Sequence, residues 1–214
     1  MGQKVISLQE LVRNLKQEDL DDLKDNFRTY IESSFKCSKN KDVLKYLNEK
    51  AIDDEKHHKS RTYFVYLDTN LVGFFTIALK VLDISKLPKS KKKKMIYKGK
   101  SPKNIDNIPV YLIGQIAKND KYKNIFTGKE LLIIALDKIK DINKQIGVKT
   151  IILDSVSNQN GKGKVVTFYQ KNGFTEYANV IKYEANEKDE NNEEVKTIVK
   201  YLLPMALTFE DIAI

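Results

Sequence analysis

Apolar residues recur at helical spacing, with polar residues between them, from Leu8 to Leu15, from Leu20 to Phe35 and from Lys41 to Ala51. This pattern predicts a helical lead over about residues 1–60. Two runs rich in Tyr, Phe and Val follow, Thr62 to Leu67 and Leu71 to Leu82, on either side of the turn-forming trio Asp68-Thr69-Asn70; they predict an antiparallel hairpin. Further on, the continuous apolar run PVYLIGQIA, Pro109 to Ala117, breaks into the polar loop KNDKYKNIFTG and re-enters an apolar-periodic segment, KELLIIALDKI. That succession reads as buried strand, loop and helix. The remainder predicts a strand over Thr150 to Val156, the loop SNQNGKG, a helix from about Lys164 to Lys171, and strands near Phe174 to Tyr183 and Thr197 to Met205. Between the last two strands, ANEKDENNEE reads as a polar, acidic hairpin loop.

At 214 residues the chain suits one α/β (α+β) domain spanning 1–214. An apolar content of 41% with 31% charged residues points to a globular protein rather than a disordered one, and no apolar stretch approaches the length needed to cross a bilayer. No membrane partner is expected. Residues 83–108 change the picture: KLPKSKKKKMIYKGKSPKN is lysine-dense, contains prolines and has no usable periodicity, so it is expected as an exposed basic insertion. The net charge of +9 concentrates there, on Lys89, Lys91, Lys92, Lys93, Lys94, Lys98, Lys100 and Lys103. The first residues, MGQKVISLQELVRN, carry no basic stretch leading into an apolar core, and Ile6 stands where a myristoylation motif needs Ser or Thr. Cys37 is the only cysteine, so no internal disulfide is available, and it is expected as a small buried residue in a cytoplasmic protein. His57 and His58 have no third ligand in view, and no metal is expected.

The strand-loop-helix at 109–137 carries the candidate chemistry. The first amides of a helix point outward unpaired at the positive end of the peptide dipoles, and here Gly128 admits close approach while Lys121, Lys123 and Lys129 supply cations. This is a phosphate cradle. A Walker loop is excluded, because Thr127-Gly128-Lys129-Glu130 lacks the first glycine and the hydroxyl after the lysine. A dinucleotide fingerprint fails as well: in Gly161-Lys162-Gly163-Lys164-Val165-Val166 the third glycine is Val166, and the segment does not directly follow a strand.

The segment resembles motif A of the GNAT superfamily of acyl-CoA-dependent N-acetyltransferases. The Q/R-x-x-G-x-G/A loop of that superfamily aligns with Lys123-Asn124-Ile125-Phe126-Thr127-Gly128, keeping only the last glycine, with Lys123 for the usual Gln or Arg and Phe126 for the middle glycine. Phe168-Tyr169-Gln170-Lys171-Asn172-Gly173-Phe174 resembles the Y-x-x-x-G-F signature. The order of three further pieces is similar to the toxin-type branch, whose members acetylate charged tRNA and pair with antitoxins: Phe35 to Ala51, Arg61 to Phe75, and Pro109 to Ala117. The resemblance implies a mixed, mostly antiparallel central sheet with a V-shaped splay, flanked by helices. It further implies acetyl-CoA as cosubstrate. Ile116, Ala117 and Lys118 would hold the pantetheine arm and thioester oxygen through backbone amides. Lys123, Asn124, Thr127, Gly128 and Lys129 would hold the diphosphate, and Asn158 or Asn160 would contact the pantetheine or the acceptor.

Acetyl transfer from a thioester to an amine needs a neutral nucleophile, a polarised carbonyl and a proton for the departing thiolate. Tyr169 is the expected acid, since a phenol with a pKa of about 10 stays protonated near neutrality. The polar residue inside the motif A strand is Gln115, which cannot serve as a base. Its presence leans toward an acceptor that is already partly neutral, such as the α-amine of aminoacyl-tRNA, or toward a base relayed through water. The lysine-dense insertion could hold an RNA backbone through its phosphates alone, or be only a solvated face. The expected partners are therefore acetyl-CoA, charged tRNA, an antitoxin protein and, with the oligomeric state open, a second copy of the chain. Two alternatives stand beside this reading: acetylation of a small-molecule amine or protein lysine, and an RNA-binding module that has lost catalysis.

Overall fold

The computed structural model describes residues 2–13, 20–97, 99–188 and 195–209. Their elements form a mixed α/β fold built on an eight-stranded, mostly antiparallel sheet flanked by helices. By contact the chain divides into two units, Met1–Leu79 with Leu112–Gly147, and Lys80–Tyr111 with Val148–Ile214.

The first unit opens with a strand that the apolar pattern did not announce, β1 (Gln3–Ser7), running antiparallel to β2 (Arg61–Leu67) from Gln3 opposite Leu67 to Ser7 opposite Tyr63. The helical lead at 1–60 thus begins only after it. Helices α1 (Leu8–Arg13), α2 (Leu20–Ser34), α3 (Lys41–Glu49) and α4 (Ala51–Lys56) follow, and residues 14–19, which include the predicted helix end at Leu15, lie outside the described residues. The expected hairpin is present as β2 and β3 (Asn70–Asp83), with Asp68 in the left-handed region at φ 53°. Short polar side chains tolerate that conformation. Leu23, Phe27 and Ile31 of α2 and Val43 and Leu47 of α3 bury their periodic faces against Phe64 and Phe74 of β2 and β3. The C-terminal part of β4 (Asn107–Lys118) and α6 (Gly128–Asn143) complete this unit. Leu131, Leu132, Ala135 and Ile139 form the buried stripe of α6.

One side chain ties these pieces together. Asn119, 1% exposed, follows β4, and its carboxamide nitrogen donates to the carbonyls of Ser34 and Leu71, each at 2.7 Å, while its oxygen accepts from the amides of Lys36 at 3.0 Å and Lys121 at 3.1 Å. Its own amide donates to the Val72 carbonyl at 2.8 Å. The end of α2, the hairpin strand β3 and the loop that enters α6 are therefore held by one saturated amide group.

In the second unit, β8 (Val195–Thr208) is the central strand, paired antiparallel with β5 (Thr150–Ser157), β6 (Thr175–Glu176) and β7 (Ile181–Lys188). Residues 189–194, most of the predicted acidic hairpin loop, lie outside the described residues, as does Lys98. Helix α7 (Lys164–Lys171) packs on β5 with Val166 and Tyr169 buried.

The basic insertion is more ordered than its composition predicts. It forms α5 (Lys89–Met95), started by Pro88, and buries Ile84, Met95 and Ile96. Lys92, which the lysine run suggested would be solvated, turns inward at 7% exposure, and its ammonium reaches the Ile105 carbonyl and the Asp106 carboxylate, both at 3.4 Å. Thr150 Oγ1 donates to the Met95 carbonyl at 3.1 Å and Lys149 Nζ to the Ile96 carbonyl at 2.9 Å. The apolar pair Met95-Ile96 supplies the burial that the lysines could not.

Two outcomes follow from these anchors. Replacing Asn119 with Ala leaves two carbonyls and two amides without their buried partner and should destabilise the protein by about 3 kcal/mol in denaturant unfolding. A loss below about 0.5 kcal/mol would refute its role as the clip. Met95→Asp should release α5, so that trypsin cuts within residues 89–103 well before the rest of the chain; equal cutting rates in both proteins would mean that the insertion was never packed.

Candidate functional site

In the first unit, the candidate cradle is built from the end of β4, a short loop and the start of α6. Ile116, Ala117 and Lys118 are the last residues of β4 and are half-buried. Just before them, Gly114 lacks a Cβ that would stand 3.0 Å from Thr76 Oγ1, and that hydroxyl instead accepts the Gln115 amide at 2.8 Å. A threonine side chain takes a backbone donor at this point of the strand. On β3, a Cβ at Gly73 would meet Leu131 Cδ1 at 3.0 Å and the Ala117 carbonyl at 3.2 Å, so glycine lets the first turn of α6 and the end of β4 close onto the hairpin.

The loop is held from below. The Asp120 carboxylate accepts from Ser38 N at 2.7 Å and Ser38 Oγ at 2.6 Å, which keeps it below the usual carboxylate range, and Tyr122 donates to Asn70 Oδ1 at 3.0 Å. Lys121 turns its ammonium to the Ser33 carbonyl and so does not stand at the helix start where the sequence suggested it. Phe126 is 2% exposed: the residue at the place of the motif's middle glycine is a core anchor beneath the loop. Lys123, Asn124 and Lys129 are exposed, and Lys118 Nζ donates to the Lys123 carbonyl at 3.4 Å.

Thr127 caps α6 in a reciprocal box. Its Oγ1 accepts from Glu130 N at 3.2 Å, while the Glu130 carboxylate accepts from Thr127 N and Thr127 Oγ1, each at 2.7 Å. These bonds hold the Glu130 carboxyl below its ordinary value. The amides of Thr127 and Glu130 are thus taken. Those of Gly128 and Lys129 have no partner among the described residues, and they are the donors that remain for an anion at this end of the helix. Glu130 already supplies one negative charge there, which the exposed Lys123 and Lys129 offset.

The second unit holds the tyrosine motif. Phe174 N donates to the Tyr169 carbonyl and Gly173 N to the Gln170 carbonyl, both at 3.1 Å, and Gly173 sits at φ 88°. This is a Schellman helix stop, whose customary apolar contact is made by the rings of Tyr169 and Phe174 at 5.6 Å. The spacing of tyrosine, glycine and phenylalanine therefore has a complete structural cause. What that cause does not use is the hydroxyl. Tyr169 is 7% exposed, burial alone pushes its phenol up to about 12, and its hydroxyl bonds to no described residue while not being among the sealed, unpartnered atoms. It is a protonated donor without a partner among the described residues.

Asn158 follows β5, and its carboxamide oxygen accepts from Asn160 N at 2.9 Å and Lys162 N at 3.0 Å, shaping the loop. Sequence reasoning missed Asp154 on β5. Among the described residues it is the carboxylate held above its ordinary range, by loss of water around it, although Lys80 pulls the other way. A lone carboxylate at mid-strand between Leu153 and Ser155 was the available signal. No group of three or more His, Cys, Asp or Glu side chains able to hold a metal occurs among the described residues, and no described helix is long and apolar enough to cross a membrane.

No family model matches the chain, and no curated protein does. Solved structures do match in fold. The toxin AtaT complexed with acetyl-methionyl-tRNA superposes with a TM-score of 0.54 at 18% identity, over 83% of this chain and 89% of that one. A Tyr-to-Phe mutant of AtaT, bound to the C-terminus of the antitoxin AtaR and acetyl-CoA, gives 0.56 at 12% identity over 97% and 94%. A Tyr-to-Phe mutant of KacT gives 0.57 at 16% identity over 95% of each chain. The protein has the GNAT-like fold of these toxins.

Proposed function

We propose that this protein is an acetyl-CoA-dependent N-acetyltransferase whose acceptor is the α-amine of aminoacyl-tRNA. The observation that carries the reading is the pair of unpartnered amides, Gly128 and Lys129, at the start of a 16-residue helix whose neighbouring amides are already capped. Such donors, at the positive end of the helix and beside two exposed lysines, suit a diphosphate. Support for the acceptor comes from AtaT, which was solved with acetyl-methionyl-tRNA. Because AtaT was also solved with an antitoxin segment, an antitoxin partner in the cytoplasm belongs to the same proposal.

In the proposed reaction the neutral amine attacks the thioester carbonyl carbon, and the oxyanion that forms is held by backbone amides at Ile116 to Lys118. Collapse breaks the carbon–sulfur bond, releasing the amide product and the CoA thiolate. Tyr169 donates its hydroxyl hydrogen to that sulfur. A phenol near 12 is a weaker acid than the thiol it faces, so its contribution is a strong hydrogen bond to the developing charge, with full transfer following through water. The amine loses its extra proton without help from Gln115. An α-amine near 7.7–8.0 is neutral in roughly a tenth of molecules at pH 7, against well under a thousandth for a lysine near 10.4. That proton leaves through water.

With labelled acetyl-CoA, label should enter a charged tRNA pool as an N-acetylated amino acid and should be absent from uncharged tRNA. Label in a small amine or in lysine side chains would replace the acceptor, and no transfer to any amine would remove the enzyme. Tyr169→Phe should lower turnover about 10- to 100-fold with little change in KM for acetyl-CoA. The wild-type rate should also show no falling limb from this phenol up to about pH 10, because it remains protonated until near 12. Unchanged turnover in the variant would remove the acid assignment.

A further inference from the structure

A pocket of about 420 Å³ lies in the second unit, lined by residues of β6 and β8, by Gly173 at the end of α7, and by α5 of the basic insertion. Its floor follows from strand register. Thr150 is opposite Thr208, and Ile152 and Thr175 flank Ala206 on either side of β8. In the next row of the same face, Asp154 is opposite Pro204, whose carbonyl accepts the Tyr177 amide at 3.1 Å. Residues two apart along a strand share a face, so Thr208, Ala206 with Thr175, and Tyr177 line up along one side. Above them stand Met95, Lys91 and Lys94 of α5, with the latter two a helical turn apart on one face.

Each wall offers a different interaction. Lys91 is half-buried and Lys94 exposed, and neither ammonium has an ion pair among the described residues, unlike Lys92, which anchors the helix. Tyr177 presents a phenol pushed up to about 12, first by burial and then by the charge of Asp154, so its ring stays neutral as a stacking surface. Thr175 and Thr208 bring hydroxyls. Glu176 also lines the pocket and Asp154 adjoins Tyr177, so the cations are concentrated on the α5 side. The volume is that of a small-ligand site.

We propose that this pocket binds one nucleotide of an RNA strand, with Lys91 and Lys94 on its phosphate and Tyr177 against its base. The assignment deepens the reading of an RNA acceptor and rests on it for biological meaning, but the pocket's affinity does not depend on acetyl transfer. It also gives the insertion a function that a solvated lysine loop would lack: α5 carries two of its cations to the wall of a cavity, where a phosphate ester can meet both.

The test uses the full chain and adenosine monophosphate as probe, followed by calorimetry, with uncharged total tRNA and acetyl-CoA titrated separately. The double variant Lys91→Ala/Lys94→Ala should weaken adenosine monophosphate binding by about tenfold, as expected for the loss of charge-assisted bonds. The control Lys89→Ala/Lys93→Ala removes the same charge from exposed positions of the same helix and should stay within about twofold. Tyr177→Ala, which changes no charge, should also weaken the nucleotide. Thermal unfolding of each variant checks that α5 is retained. Equal losses in the two double variants would reduce the effect to general electrostatics and overturn the pocket, as would wild-type protein that binds no adenosine monophosphate at millimolar concentration. If acetyl-CoA fails to bind while the nucleotide binds, the transferase reading falls and the pocket stands.

Discussion

The candidate cradle depends on the buried carboxamide of Asn119. A loop entering a helix start cannot hold its amides for a ligand unless something else fixes its path, because a surface loop loses conformational freedom only when its polar groups find partners. Here one side chain supplies four hydrogen bonds to the end of α2, to β3, and to the loop on either side. Asp120, Tyr122 and the buried ring of Phe126 complete the hold. The residues that keep the loop in place are thus different from those left open above it, Gly128 and Lys129. Order is provided by one set of groups and binding capacity by another.

The same separation marks the tyrosine motif. Helix termination accounts for Gly173 and Phe174, and packing accounts for the ring of Tyr169, but the hydroxyl is left without a partner. Burial without a compensating hydrogen bond raises the phenol and keeps it protonated.

The apolar periodicity of the chain was a sound guide wherever burial was continuous. The hairpin, the strand of the candidate cradle and α7 stand within a residue or two of where their patterns put them, and the cradle helix starts as read but runs on to Asn143. It failed where partners distant in sequence make the element. β1 has too few apolar residues to stand out, and it is a strand because β2 offers a ladder to it. Within 83–108, composition concealed a helix, since lysine is a good helix former and a single apolar pair beyond the lysine run suffices to dock it. The site was legible in part. Gly128 opened its helix as read, and Thr127 turned out to cap it, whereas the Lys121 ammonium is bonded to the Ser33 carbonyl and the Asn158 carboxamide to the amides of its own loop. The Lys121 orientation has no local signature, because it depends on a carbonyl that the fold brings near, whereas the Asn158 turn is local to its Asn- and Gly-rich loop. Asn119 was passed over because most of its partners are distant in sequence.

The account is most directly tested by an amide NMR titration of the full chain with acetyl-CoA. The Gly128 and Lys129 amide signals should move together and saturate, with the Asn119 side-chain amide unchanged because the clip beneath does not rearrange. Saturable binding of acetyl-CoA that leaves both of those amides unmoved, or no binding at all, would contradict the placement of the diphosphate and the function built on it.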